Sequence, residues 1–308
     1  MSYDYRTYLT NFIMLVGLPG SGKSTYAKEL ADEYNAVICS SDEIRKELFD
    51  NENVQDKNDE VFRLLHKRIK DNLMNRKSVI YDATNINSKR RRVFLSELKN
   101  ILCFKRCIIM ATPFEMCLEN NLKRDRTVPL TAIEKMYMNW NTPYWFEGWD
   151  DIDIRYLGNK QHWSSYYNID HFIKSHMNYN QDNPHHTMTL GEHCKAVGER
   201  LKYDITLYYA GLLHDCGKPF TKSFVNFKGE ETDIAHYYQH HCVGAYDSLF
   251  FKYSNLDVSI LINLHMMPYF WEKDTNNGEK TRQKYKKLWG DELYNDVMLL
   301  HEADRKAH

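Results

Sequence analysis

Asn11-Phe12-Ile13-Met14-Leu15-Val16-Gly17-Leu18-Pro19-Gly20-Ser21-Gly22-Lys23-Ser24-Thr25 decides the fold of the first half of this 308-residue chain. A short apolar run ends in a glycine-rich turn, and from Ser24 to about residue 34 the sequence reads as a helix. Residues 17–25 satisfy G-x-x-x-x-G-K-[ST] in full, and strand, loop and helix are the context that pattern requires. In such a loop, successive backbone N–H groups converge on nucleotide phosphates at the positive end of a helix. Gly17, Gly20, Ser21, Gly22, Lys23, Ser24 and Thr25 are therefore expected to hold ATP or another NTP. Lys23 would neutralise the β- and γ-phosphates, and Ser24 would be a ligand of Mg²⁺.

Outward from that loop, strand-like runs recur at residues 36–40, 77–82, 103–110 and 151–157, separated by helical stretches at 59–73, 89–98 and 114–122. Alternation of this kind predicts an α/β P-loop NTPase domain, a parallel sheet with helices on both faces. Ser41-Asp42-Glu43-Ile44-Arg45 follows the second strand, at the sheet edge where open α/β folds bind ligands. Asp42 there can accept a proton from an attacking hydroxyl, or merely cap the helix that begins at Glu43. Arg45 can clamp an acceptor phosphate. Asp82, ending the third strand, is either a carboxylate for Mg²⁺ or part of the structural turn Asp82-Ala83-Thr84-Asn85. Arg124 and Arg126 precede Val128-Pro129, as in a lid whose arginines neutralise the transferred phosphoryl group, or as in a solvated basic helix end.

Composition bounds the rest. With 43% hydrophobic and 27% charged residues the chain reads as globular, long enough for two domains. A formal charge of −1 excludes a protein that coats long tracts of nucleic acid. Local basic clusters at 89–92, 123–126 and 280–287 would suit one that grips a strand end. No apolar run approaches the ~18 residues that span a bilayer, so no membrane association is expected. Met1 to Arg6 lacks the pattern of a secretory leader. Seven scattered cysteines without a C-x-x-C pair suit a reducing, cytoplasmic setting. Of fourteen histidines only His66 precedes residue 160, which marks a domain change: residues 1–160 form the first domain and 161–308 the second.

The second half shows helical segments near residues 191–202, 205–215, 235–253, 258–265 and 293–306, without strand alternation, and is expected to be all-α. His193, His214, Asp215, His240, His265 and Asp304 lie on separate segments and are ligand types for one or two divalent transition metals. Two ions sharing a carboxylate would activate a water and stabilise a leaving oxygen. Lys218 is expected to bind substrate phosphate.

Four stretches in order, GLPGSGKST, SSDEIRKEL, DATNINSKRRR and LKRDRTVP, resemble the polynucleotide 5′-kinase domain of phage and bacterial nucleic-acid end-healing enzymes. The resemblance spans roughly residues 10–155. It implies that Asp42 is the general base for a 5′-hydroxyl, that Arg45 contacts the acceptor's 3′-phosphate and that Arg124 contacts the donor phosphates; Asn85 is expected beside Arg45 on the polynucleotide, and Arg126 on ATP. Residues 180–308 resemble the HD phosphohydrolase superfamily, especially the HD domain attached to many tRNA nucleotidyltransferases. The chain departs from that pattern at Gln239, where glycine is usual. His185, His186 and His241 stay outside the ligand set.

Together the halves resemble bifunctional end-healing proteins, with the domain order reversed. That implies kinase action on a 5′-hydroxyl, removal of a 2′,3′-cyclic, 2′- or 3′-phosphate, RNA ends as partners and a separate ligase. The alternatives are a small-molecule kinase fused to a nucleotidase and a nucleotide sensor without turnover. RNA versus DNA, the native metal and the oligomeric state are not encoded in any pattern the sequence displays.

Overall fold

The computed structural model describes residues 9–50, 57–124, 126–158, 160–184 and 186–307. Met1 to Arg6, Asp125 and His185, each part of an expectation above, lie outside the described residues. Two compact units emerge, one comprising 1–133 and 143–157, the other 134–142 and 158–308.

The first unit runs β1 (Thr10–Val16), α1 (Lys23–Tyr34), β2 (Val37–Ser40), α2 (Ser41–Phe49), α3 (Asn58–Met74), β3 (Val79–Asp82), α4 (Ser88–Glu97), β4 (Cys103–Ala111), α5 (Phe114–Leu122), the start of α6 (Leu130–Tyr137) and β5 (Asp151–Tyr156). Its five strands pair in parallel in the order β2-β3-β1-β4-β5. Parallel sheets are covered on both faces, so the central strand is apolar throughout: Phe12 to Val16 are buried without interruption. Ile13, Leu15, Ile80 and Ile108 pack one face against Ala27 and Leu30 of α1. On the other, the Phe12 ring meets Phe94 of α4 at 5.6 Å and stacks on Trp149 at 6.5 Å. Because β1, β2 and β3 all point the same way, the residues that follow them emerge at one edge of the sheet.

The second unit contains α7 (Lys160–Tyr166), α8 (Ile169–Ser175), α9 (Leu190–Arg200), α10 (Ile205–Leu213), α11 (Lys218–Thr221), β6 (Ser223–Val225), β7 (Glu231–His236), α12 (His240–Ser248), α13 (Leu256–Leu264), α14 (Met267–Lys273) and α15 (Gly278–Arg305). The helical expectation holds apart from one antiparallel hairpin, β6–β7. Ala235 and His236, expected to begin a helix, close that hairpin instead. Long-range bonds from residues 182–183 hold them extended: Ala235 N–H donates to Asp182 O at 2.8 Å, and Asn183 Nδ2 donates to Ala235 O at 2.9 Å. Residues 134–142 pack within this unit, where the Trp140 ring meets Tyr246 at 4.9 Å and Asn263 Nδ2 donates to Trp140 O at 3.1 Å. Among the described residues no helix is long and apolar enough to cross a membrane.

Candidate active sites

The phosphate loop joins the buried end of β1 to α1, and Lys23 is the first helical residue. Its ammonium folds onto the loop, donating to Gly17 O at 3.0 Å, Leu18 O at 2.7 Å and Ser21 Oγ at 3.3 Å. Burial pushes the Lys23 pKa down, and Asp82 at the end of β3 pulls it partly back. Gly17 N–H donates to Thr84 O at 3.0 Å, tying the loop to the turn after β3. Ser24 and Thr25 stand exposed beside this cradle, while Gly20, Ser21 and Gly22 form its wall.

Asp42 does not cap α2. The cap is Ser40, whose Oγ accepts from Asp42 N–H at 3.3 Å, so the Asp42 carboxylate is left for other work. Its Oδ1 lies 3.0 Å from Arg45 NH1 and 3.1 Å from Arg126 NH1. Arg126, expected on ATP, thus reaches the carboxylate on the acceptor side. Arg45 is buried, and its second nitrogen donates to Asn58 Oδ1 at 2.7 Å. Arg124 stands exposed just beyond α5.

Asn85 adopts a left-handed backbone (φ +49°), and its Nδ2 donates to Leu15 O at 2.9 Å, so its amide nitrogen braces the sheet edge. Arg91, in the basic cluster at 89–92, is no surface cation. It forms a buried bidentate pair with Glu147 at 2.8 and 2.7 Å, and its remaining nitrogen donates to Asn85 O at 2.9 Å.

In the second unit, two close helix approaches create the site. A Cβ on Gly211 of α10 would lie 3.0 Å from Gly198 Cα of α9, so these backbones touch and carry His193 and His214 together. A Cβ on Gly217 would lie 2.2 Å from His240 O, which presses the turn bearing Asp215 against the start of α12. His193 follows a helix start fixed by the capping box Thr189/Glu192.

All six expected ligands converge. His193, His214 and Asp304 form one set of mutually close donor atoms, and Asp215, His240 and His265 another. Asp215 faces both sets, with Oδ2 3.3 Å from His214 Nε2 and Oδ1 3.2 Å from His240 Nε2. Each imidazole turns Nδ1 to a backbone carbonyl: His193 to Ala307 at 3.1 Å, His214 to Gly211 at 2.8 Å, His240 to Tyr237 at 2.8 Å and His265 to Ile262 at 2.7 Å. An Nδ1–H that donates to a carbonyl leaves the Nε2 lone pair pointing inward. Two such nitrogens then face each other at 3.2 Å, His193 against His214, and again His240 against His265. Only a proton or a cation between them relieves that confrontation. Burial alone would lower His214, but Asp215 and Asp304 raise it to about 10, whereas burial and the neighbouring histidines hold His265 well below its ordinary value. Burial opposes ionisation of Asp215 too, yet His214 and Lys218 hold it well below the usual carboxylate range. The donor set therefore fits a divalent transition metal, and Asp215 faces both sets of donors.

Lys218 stands beside the cluster. Its ammonium is buried, 2.7 Å from Asp215 Oδ2, 2.7 Å from Gln181 Oε1 and 3.3 Å from His186 Nε2. An ammonium has three hydrogens; as at Lys23, they are satisfied within the protein, and Lys218 orients Asp215. Sequence reasoning missed Gln181, and also Tyr269, whose hydroxyl donates to Asp304 Oδ2 at 3.1 Å. No local signal marks either.

The architecture therefore defines a chain of two domains, a P-loop α/β domain followed by a helical HD domain. Residues 12–143 match the AAA domain family and residues 185–307 match the HD domain family. Among curated proteins, the chain is similar to an L-seryl-tRNA(Sec) kinase of Methanococcus maripaludis, 31% identical over 153 residues that make up 46% of this chain and 57% of that one. Among solved structures, it is similar to a chain of a Pnkp1/Rnl/Hen1 RNA repair complex, with TM-score 0.38, 24% identity and coverage of 45% and 46%. A gluconokinase from Sinorhizobium meliloti 1021 follows with TM-score 0.36, 14% identity and coverage of 49% and 85%. The chain spans about half the length of the curated relative and of the RNA repair chain.

Proposed function

We propose that this protein heals broken nucleic-acid ends, RNA above all, phosphorylating the 5′-hydroxyl and removing a 2′,3′-cyclic, 2′- or 3′-phosphate. The observation that carries the reading is one chain with two phosphate-handling sites of opposite sense, a phosphate loop and a buried two-set metal-ligand cluster. A broken strand with a 5′-hydroxyl and a phosphorylated 3′ end needs both reactions before a separate ligase can seal it.

At the first site, the Gly17–Thr25 backbone would hold the phosphates of ATP, and Ser24 and Asp82 would hold Mg²⁺. Asp42 Oδ takes the proton of the acceptor hydroxyl as its oxygen bonds to the γ-phosphorus. The bond from that phosphorus to the bridging oxygen breaks and ADP leaves. Arg45 and Arg126 orient Asp42, and exposed Arg124 would reach the donor phosphates. Support for a kinase also comes from the relative whose name makes it a kinase acting on seryl-tRNA.

At the second site, His193, His214, Asp215, His240, His265 and Asp304 hold the ions. When bound, those ions supply an activated water and neutralise the departing oxygen. Lys218 and Gln181 fix Asp215, Tyr269 fixes Asp304, and backbone carbonyls orient the four imidazoles. The described cysteines are all free thiols, in keeping with a cytoplasmic protein.

The test is an RNA with a 5′-hydroxyl and a 2′,3′-cyclic phosphate, incubated with ATP, Mg²⁺ and Mn²⁺, each end followed by mass spectrometry. Wild-type protein changes both ends. Lys23→Ala loses the 5′ reaction by on the order of 10²–10³-fold, the scale for removing a charge-stabilising donor, and Asp215→Ala loses the 3′ reaction. If a nucleoside or sugar is phosphorylated and RNA is not, the small-molecule reading replaces this one. If no substrate turns over, the sensor reading does.

A further inference from the structure

Between Lys218, which braces Asp215, and the ligand His240 the chain leaves the helical layer and returns as the hairpin β6–β7. An isolated two-stranded hairpin is marginally stable in water, and this one exposes rather than buries its rings. Phe224 is 45% exposed, Phe227 81%, Ile234 41% and Tyr238 41%. A patch of this kind on a small, polar element marks a contact surface.

The turn that carries Phe227 is built, not loose. Asn226 Oδ1 accepts from Lys228 N–H at 2.9 Å and from Glu230 N–H at 3.0 Å, and Phe227 N–H donates to Tyr238 Oη at 3.1 Å. The Tyr238 ring stacks on His236 at 5.4 Å and 8°. Lys228 Nζ lies 5.9 Å from the Phe227 ring, while Lys222 Nζ, 5.8 Å from Phe224, is paired with Asp182 Oδ2 at 2.5 Å. Alternation along β7 sends Glu231 and Asp233 to the side of buried Ala235, away from Ile234 and His236. The third carboxylate, Glu230, is tied to Asn226 Nδ2 at 2.8 Å.

The hairpin is also wired to the ligand cluster. Tyr237 Oη donates to Gln181 O at 2.5 Å, and the same Gln181 accepts from Lys218, which lies 2.7 Å from Asp215. Ordered rings beside Lys228, joined through Gln181 to the proposed metal site, have the chemistry of a stacking surface for unpaired bases, since every base has a π-face.

We infer that the β6–β7 hairpin is a docking platform for single-stranded nucleic acid, stacking the bases next to the terminal phosphate that enters the metal site. This rests on the phosphohydrolase reading given above. It makes the second site selective for a phosphate on a strand over the same phosphate on a mononucleotide.

The experiment compares kcat/KM for uridine 2′,3′-cyclic phosphate with that for a short oligouridylate ending in the same group, in the full chain with Mn²⁺. Wild type favours the oligonucleotide. Phe227→Ala and Tyr238→Ala each lower that preference about ten-fold, within the range for removing one base-stacking ring. Phe227→Trp restores it, and Tyr203→Ala, at an exposed aromatic elsewhere, does not lower it. Lys228→Ala flattens the dependence of oligonucleotide KM on salt. Equal wild-type turnover of both substrates, or hairpin variants that keep the wild-type preference as a protein-docking surface would, overturns the platform and leaves the phosphohydrolase reading standing. Wild-type protein inert on both substrates overturns the two together.

Discussion

The two candidate sites handle phosphate from opposite physical starting points. At the phosphate loop the binding groups are largely backbone amides, Ser24 and Thr25 face solvent, and the single buried cation, Lys23, is satisfied by acceptors of its own loop. At the HD cluster the binding groups are side chains, all buried, and their nitrogens confront one another across 3.2 Å. One site is content until a ligand replaces its internal bonds. The other is completed only by a cation. Stability should therefore depend on structural ion pairs in the first unit and on metal in the second.

The largest effect we expect breaks the first unit away from its loop. Arg91 and Glu147 are 1% and 0% exposed in their side chains, and Trp149 Nε1 also donates to Glu147 Oε2 at 2.9 Å. Removing one partner of a buried pair strands a charge, at about 3–5 kcal/mol. Arg91→Met should cost that much in urea unfolding, and the double variant Arg91→Met/Glu147→Leu should recover most of it. Because Arg91 also holds Asn85 O, the single variant should weaken ATP binding. A loss under about 1 kcal/mol would mean the pair behaves as a surface one.

Metal removal comes next and sharpens the contrast. A ligand that binds only the folded state stabilises it by about 2.7 kcal/mol when present at a hundred times its Kd. Manganese should raise the unfolding transition of the helical unit on that scale, and a chelator should reverse it. Hydrogen exchange is the direct readout. Chelation should release protection in α9, α10, α12 and α13, whereas withdrawing nucleotide should leave β1 and α1 protected. Equal protection with and without metal would show that protons alone suffice to hold the cluster.

Much of this was legible in advance, and what escaped did so for physical reasons. Strand, glycine loop and helix are local, so residues 11–34 could be read directly. The six residues of the cluster could be named together because imidazoles and carboxylates recur on separate helical segments of the second half. Arg91 was readable and missed: Arg91, Phe94, Leu95 and Leu98 recur at i, i+3, i+4 and i+7, an inward face, and all four are buried. The hairpin was not readable. Its short strands lack a clean apolar alternation, and the bonds that extend it come from residues 182 and 183, far away in sequence. Spacing places Lys218 near Asp215 but carries no sign that Gln181 completes its shell.

Gln239 is the smallest effect and the most local test of how the second site is held. It stands where related HD domains usually have glycine, and its backbone is left-handed, with φ +65° and ψ +18°. There it ends the segment after the hairpin and starts α12, its carbonyl accepting from Cys242 N–H at 3.0 Å. A left-handed conformation costs a side-chain-bearing residue about 1–2 kcal/mol, while glycine loses about 0.5–1 kcal/mol more than other residues in conformational entropy on folding. Gln239→Gly should accordingly stabilise the helical unit by about 0.5–1 kcal/mol, a rise of roughly 2–4 °C per kcal/mol. Gln239→Val, with its branched Cβ, should lower stability. The helix start presents His240 Nε2 to Asp215, so both variants should also be titrated with Mn²⁺. Stability that moves while affinity stays constant means the metal fixes His240 regardless of the backbone behind it. Affinity that rises with Gln239→Gly means the strain at this junction sets the geometry of the cluster.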